Sequence, residues 1–343
     1  MDFTPTEAQA EARDLAARIF ADLATHERLR AAGTGSDPEL WKALCGAGLV
    51  AAVAELGLLG LVLLLEEQGR TTAQVPYAAS CVYGQLAIAA HGTDEQRARL
   101  LPGIGDGSVV VTGAFPAQQG VRPSARGGLS GTVPVVPWLR DATHVLVADA
   151  GRRLWLVPLG EGTGTGVEEV ELTAPWSAGR LTLDEAPAEI LGGEDACPDV
   201  LATARTAFAG LQAGVCAGSL ARAVAHTNTR EQFGRPLATR QGVQLRAADA
   251  HMDTEAIRVT AYEAAWRRDA GLPYAAQALT AAWWASEAGQ RVVHTGQHLH
   301  GGTGADLGHP VHRHFLWGRQ LDAYLGSGSE VLQELGELIA SGS

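Results

Sequence analysis

Cysteine is scarce: four residues in 343, at Cys45, Cys81, Cys197 and Cys216, with no Cys-x-x-Cys pair. That scatter argues against a zinc site or a disulfide framework and points to a reducing compartment, the cytoplasm. Charge is also sparse, at 19% of residues, and what there is leans acidic, with a net charge of −12. A chain of that sign is not built for nucleic acid or an anionic membrane, and any anionic ligand must find locally gathered positive charge. Aromatics make up only 6% against 46% hydrophobic residues overall. An alanine-heavy apolar fraction with few rings favours helix over a sandwich. There is no Gly-x-Ser-x-Gly elbow and no Walker loop, and the acidic start Met-Asp-Phe-Thr-Pro-Thr-Glu does not read as a signal peptide.

One apolar run imitates a membrane span. Residues 46–65 carry a single charge, Glu55. The run holds four glycines and leads into Glu66-Glu67 without a basic flank. It reads as two short buried helices joined at 55–57, and no membrane span is expected.

What is present falls into three textures. Near the N-terminus, Ala8, Ala12, Leu15, Ile19 and Leu23 form a helical stripe. Asp37-Pro-Glu and Thr93-Asp-Glu-Gln each open a further helix with an N-cap. From 107 to 195, short β-rich runs at 109–112, 129–136, 144–148, 154–157, 167–172 and 181–183 alternate with glycine and proline, as in a small barrel or sandwich. The glycine-threonine run at 162–166 suits a hairpin loop better than a phosphate cradle. Beyond Pro198 helix returns. Leu201, Phe208 and Val215 interleave with Ala204, Leu211 and Gly218 at heptad spacing, and Leu245, Met252, Val259 and Trp266 repeat the pattern, which suits an antiparallel four-helix bundle. The expected organisation is an N-terminal helical domain (1–106), a middle β-domain (107–196) and a C-terminal bundle (197–343).

Two motifs carry chemistry. The first is Arg230-Glu-Gln-Phe-Gly-Arg-Pro-Leu, with Gln241 shortly after; the second is His298-Leu-His-Gly-Gly-Thr-Gly304. Guanidinium can donate two parallel hydrogen bonds to a pyrophosphate, and a glycine-rich turn lets backbone approach one closely. Together with the helix–sheet–helix order these motifs resemble the acyl-CoA dehydrogenase family. The resemblance covers essentially the whole chain. It is nearest to the smaller subunit of actinobacterial α2β2 steroid side-chain enzymes, on the strength of Leu129-Ser-Gly-Thr132 and the His-Leu-His-Gly-Gly segment.

That resemblance implies a mainly helical fold with a middle β-barrel and a C-terminal four-helix bundle. It implies FAD as cofactor, an acyl-CoA substrate, and an electron-transfer flavoprotein or similar acceptor. In the family a carboxylate takes the α-proton of the thioester while the β-hydrogen leaves as hydride to the flavin. FAD spans a subunit interface there, one chain holding the isoalloxazine and the next its ADP half. Carried over, Arg230 pairs with the pyrophosphate, Phe233 packs on the adenosine and Gly234 permits the turn. Gln232 and Gln241 lie at cofactor-contacting places, and Gly301, Gly302 and Gly304 form the close-approach turn. His298 replaces the family's usual glutamine.

The flavin half departs from the pattern. Where the family shows Thr-Glu-Pro-x-x-Gly-Ser, this chain reads Thr112-Gly-Ala-Phe-Pro-Ala-Gln-Gln-Gly120. The Pro-Glu-x-x-Gly-Gly loop is reduced to Val53-Ala-Glu-Leu-Gly57. The usual catalytic glutamate falls near Gly326 in Tyr324-Leu-Gly-Ser-Gly-Ser-Glu330, which supplies no carboxylate there; Glu330 comes too late. Asp269 is the remaining candidate base, on the place some members use in the bundle. The expectation is therefore a subunit that donates the ADP half of an FAD site to a larger partner. Two alternatives are a homo-oligomer using Asp269, and a non-redox acyl-CoA-binding member of the fold. Histidines crowd the end of the chain, including His298, His300, His309, His312 and His314. Their spacing has metal-ligand character, but it reads as local family sequence near a subunit contact, and no metal is expected.

Overall fold

The computed structural model describes residues 2–124 and 127–342, which divide into two compact units. One takes in the chain up to His26, Val62–Ala73 and the chain from Arg205; the other takes in Glu27–Leu61 and Gln74–Ala204.

In chain order the helices are α1 (Glu7–Leu23), α2 (His26–Ala31), α3 (Pro38–Gly46), α4 (Val53–Thr71), α5 (Tyr77–Ala79), α6 (Ala87–His91), α7 (Asp94–Asp106), α8 (Ala196–Thr229), α9 (Gln241–Asp269), α10 (Ala275–His300), α11 (Val311–Leu321) and α12 (Gly328–Ala340). A π-helical segment, Ser80–Leu86, joins α5 to α6. The expected caps form. Asp37 accepts from the N–H groups of Glu39 and Leu40 at 3.0 and 3.1 Å, and Thr93 with Gln96 closes a capping box over α7. The run at 46–65 is no span: α3 ends at Gly46, and α4 breaks at Gly57, whose φ of 73° is open to glycine without penalty.

The strands are β1 (Val111–Ala114), β2 (Arg122–Pro123), β3 (Leu129–Val136), β4 (His144–Ala148), β5 (Leu154–Pro158), β6 (Thr165–Glu169), β7 (Gly179–Ala186) and β8 (Glu189–Ile190), with a separate hairpin of β9 (Glu231–Gln232) and β10 (Arg235–Pro236). Two four-stranded sheets, ordered β1-β4-β5-β8 and β2-β3-β7-β6, make the β-domain. Val133, Val145, Val147, Trp155, Leu181 and Leu183 form its common core. The turn at 162–166 is not the loop of a hairpin. β5 pairs with β4 and β8, whereas β6 pairs with β7, so the glycines carry the chain from one sheet to the other.

In the helical unit the tightest packing is made by glycine. Gly210, Gly214 and Gly218 recur every four residues on α8 and face Val62, Glu66 and Arg70, spaced likewise on α4. A Cβ at Gly214 would strike the Glu66 carbonyl, and one at Gly69 the Leu211 carbonyl. With no side chain between them the two backbones come into contact, as ridges of period four allow. Gly214→Ala should therefore cost about 1–3 kcal/mol, read as a lower denaturation midpoint. Gly242→Ala on α9, where a Cβ meets nothing within 4 Å, is the control and should be neutral or slightly stabilising.

α8 realises its expected seam: Leu201, Phe208, Leu211 and Val215 are buried. α9 does not. Leu245, Met252 and Val259 are 57%, 63% and 51% exposed. Its inward face is made instead of Ala250, Thr254, Ile257, Ala261, Ala264 and Ala265. Alanine lets α9 lie close to its neighbours and turns the larger residues outward. α8 is also the one helix among the described residues long and apolar enough to cross a membrane, and 72% of its most apolar window is buried within the fold.

Candidate functional site

α8 ends at Thr229, and the chain turns through the β9–β10 hairpin into α9. Arg230 is held at this corner by its backbone: its N–H donates to the His226 carbonyl (2.8 Å), and its carbonyl accepts from Leu237 N–H (2.9 Å). Phe233 and Gly234 form a two-residue hairpin turn with both φ positive, at 55° and 77°. Glycine adopts this freely; phenylalanine does so at a cost of about 1–2 kcal/mol. Phe233 is 91% exposed, and its ring's companion is the Arg240 guanidinium, 5.1 Å from the ring centroid.

α10 runs to His300 and gives way to a single 3-10 turn over Gly301–Ala305. Gly301 sits at φ 63°, and a Cβ at Gly301 or Gly302 would stand in open space. The corner and the turn face each other across a cleft of about 500 Å³. Five of the sequence-derived residues line it together: Arg230, Gln232, His298, Gly301 and Gly302. Gly304 does not. It is buried, and a Cβ there would strike the Gln297 carbonyl, so this glycine lets the turn fold back on α10. Phe233, Gly234 and Gln241 also lie outside the cleft lining, Gln241 as the first residue of α9.

The sequence reading gave no cofactor role to the remaining lining residues, and two of them, His226 and Val243, lie outside both motifs. His226, Leu237, Val243, Leu299, His300 and Thr303 complete the lining. His226 comes from α8 and His300 from the end of α10, and their rings stack at 4.6 Å. The only sequence signal for His226 was its place one helical turn before Arg230. The crowded C-terminal histidines are otherwise engaged: His312 Nδ1 with the His309 carbonyl (2.6 Å) and His314 Nε2 with the Arg70 carbonyl (3.0 Å). Burial pushes His314 down to about 4, so it stays neutral. Among the described residues no group of three such side chains is arranged to hold a metal ion. His298 also lines a second cleft of about 640 Å³ along α9 and α10, with Arg246, Asp249, Met252, Arg291 and His294.

In the other unit, the segment aligned with the flavin loop is packed shut by rings. β1 is buried at every residue. A Cβ at Gly113 would meet the Tyr83 ring at 2.6 Å, and Tyr83, from the π-helical segment, stacks on Phe115 at 5.1 Å. Thr112 Oγ1 donates to the Pro137 carbonyl at 2.6 Å. These groups are already satisfied within the chain.

The position expected for the base lies in the helical unit and faces a cation. An ideal Cβ at Gly326 would stand 3.5 Å from Arg205 Nη2. Arg205 is 5% exposed, donates to both Glu334 oxygens at 2.7 Å and to the Leu325 carbonyl at 3.2 Å. With Phe208 and Tyr324 in edge contact at 4.8 Å, these residues wall a small cavity at Gly326. Glu330 is the capping-box residue of α12, its carboxylate accepting from Ser327 N–H at 2.8 Å. Asp269 closes α9, with Arg268 Nη1 at 3.9 Å, and lines none of these clefts.

The chain matches known families at both ends. Residues 6–108 match the acyl-CoA dehydrogenase N-terminal domain and residues 192–336 the acyl-CoA dehydrogenase C-terminal domain. Acyl-CoA dehydrogenase FadE27 of Mycobacterium tuberculosis is 34% identical, over 99% of both chains. A chain of a Tcur3481–Tcur3483 steroid ACAD variant superposes with a TM-score of 0.92 at 44% identity, covering 99% of each chain. A chain of the ChsE4–ChsE5 complex from Mycobacterium tuberculosis gives 0.92 at 32%, again over 99% of each.

Proposed function

Since the chain belongs to the acyl-CoA dehydrogenase family, we propose that it is the smaller, β-type subunit of a heteromeric enzyme that desaturates a bulky acyl-CoA, such as a steroid side-chain thioester. In this reading it lends the ADP half of an interface FAD site to a larger dehydrogenase subunit in an α2β2 assembly. The supporting observation is one-sidedness. Arg230, Gln232, His298, Gly301 and Gly302 gather around an open cleft, while β1 is sealed by Tyr83 and Phe115 and the base position holds glycine facing Arg205. Among the similar structures, the ChsE4–ChsE5 complex supports the choice of assembly, and the Tcur3481–Tcur3483 steroid ACAD supports the substrate class.

The residues at the cleft fit a diphosphate. Arg230 supplies a bidentate cation, and the backbone at 301–302 has room for an anion where a side chain would intrude. Phe233, exposed on its strained turn, offers a ring to the adenosine or to the partner's surface. Bound FAD supplies the hydride acceptor, and an electron-transfer flavoprotein or similar protein takes the electrons onward. The α-proton acceptor then comes from the partner subunit.

The test is the visible spectrum of the chain purified alone and co-purified with a larger acyl-CoA dehydrogenase subunit. The expected result is a colourless chain alone and a yellow complex with one FAD per heterodimer. A yellow homo-oligomer with one FAD per chain would overturn the reading and make Asp269→Asn the decisive variant.

A further inference from the structure

The cleft has a third ring behind the two that line it. His309, in the loop before α11, lies 5.0 Å from His300, which itself stacks on His226. The three imidazoles form a ladder with His300 buried at its centre and His226 and His309 half-buried at its ends. We propose that the His226–His300–His309 ladder is a proton-coupled second anchor for the cofactor diphosphate, taking up a proton from solvent as the diphosphate binds. This rests on the diphosphate reading of the cleft.

The hydrogen bonds leave room for that proton. His300, 5% exposed, directs Nδ1 to the Gly296 carbonyl at 2.7 Å, so Nδ1 carries its hydrogen and Nε2 is the acceptor nitrogen. His309 accepts at Nδ1 from Val311 N–H at 3.2 Å, which engages its lone pair and leaves the proton to the rings at the cleft wall. The surroundings disfavour the charged form at both ends of the ladder. Burial, then His300 and Arg230, hold His226 below the ordinary histidine range. Burial, then His300, Arg222 and His226, hold His309 down, and Asp306 opposes them weakly. On α11, Arg313 and His314 add no negative charge, and His312 is likewise held down by burial, Arg313 and His26. The rings also repel one another once charged, so the ladder accepts one proton rather than three.

A diphosphate in the cleft reverses this balance. Two negative charges beside His226 favour the imidazolium and make the ring that holds the proton a charge-assisted donor. The sign follows: proton affinity is low in the free chain and higher in the bound one, so binding takes up a proton and tightens as pH falls through that window. Arg230 supplies a permanent charge, and the ladder adds a conditional one.

The experiment is calorimetric titration of the chain with ADP-ribose, whose diphosphate is a diester and does not itself titrate near neutrality. It is run at about pH 8 and about pH 6, in buffers of different ionisation enthalpy. Wild type should bind about fivefold more tightly at the lower pH, with a heat that depends on the buffer and reports proton uptake. His226→Asn and, separately, His309→Asn should bind with a flatter pH profile and less uptake; two sites guard against one variant folding poorly. Equal wild-type affinity at both pH values with buffer-independent heat, while Arg230→Ala still weakens binding, would overturn the ladder and leave the cleft reading standing. No binding at either pH, with FAD in the assembled complex indifferent to Arg230→Ala, would overturn both.

Discussion

Arg230→Ala is expected to weaken FAD binding in the assembled complex about a hundredfold. Two charge-assisted hydrogen bonds to a diphosphate contribute about 3 kcal/mol, which is two decades of affinity. The structure makes the substitution clean. Arg230 positions the hairpin through its backbone, with its N–H on His226 and its carbonyl under Leu237 N–H, and alanine keeps both bonds. Its side chain is exposed at the cleft, so no buried contact is lost. Arg230→Lys should recover part of the affinity, because a lysine restores the charge without the planar fork. The readout is flavin fluorescence during titration of the apo-complex. An unchanged dissociation constant in Arg230→Ala would remove this cleft as the ADP site.

Much of this was legible in the sequence because the relevant rules are local. The strands Leu129–Val136 and His144–Ala148 were bounded by turn residues and fall where expected. The caps at Asp37 and Thr93 need only three or four residues to specify. The Arg230 and Gly301 segments could be paired from sequence by family likeness, and the structure adds that five of their nominated cofactor residues share one cleft. What was hidden depends on partners far apart in the chain. Heptad spacing selected Leu245, Met252 and Val259 on α9, but the buried face is set by which helix accepts alanine, a property of the neighbour. On α1, likewise, Ala16 and Phe20 are buried while the predicted stripe is shifted by a residue. The glycines of α8 matter only because α4 lies against them, and His226 and His309 join His300 only once the bundle is closed.

The same distance hid the strongest electrostatic feature of the helical unit, and it carries the second large effect. Glu66 on α4 is 4% exposed and accepts from Arg258 Nε on α9 at 2.9 Å, across 192 positions of sequence. Burial drives the Glu66 carboxyl upward, while Arg258 and Tyr262 pull it back. Burial also opposes the charge on Arg258, but Glu66 and Glu255 outweigh it and the guanidinium is held more firmly cationic. The pair therefore survives only as a pair. Arg258→Met keeps the bulk and strands the carboxylate, which should cost about 3–5 kcal/mol at neutral pH, measured as a fall in the chemical denaturation midpoint. The pH dependence gives the cause. Without Arg258 the folded Glu66 carboxyl rises further above its unfolded value, so the variant is most stable where Glu66 is protonated. That stability is present below the unfolded carboxyl range and lost as pH rises through the folded one. The deficit of Arg258→Met should thus shrink as pH is lowered toward 5, and Glu66→Gln in the same background should recover most of the loss at pH 7. A deficit that is the same at both pH values and is not rescued by Glu66→Gln would mean that Arg258 stabilises the unit through its packing stem and not through its charge.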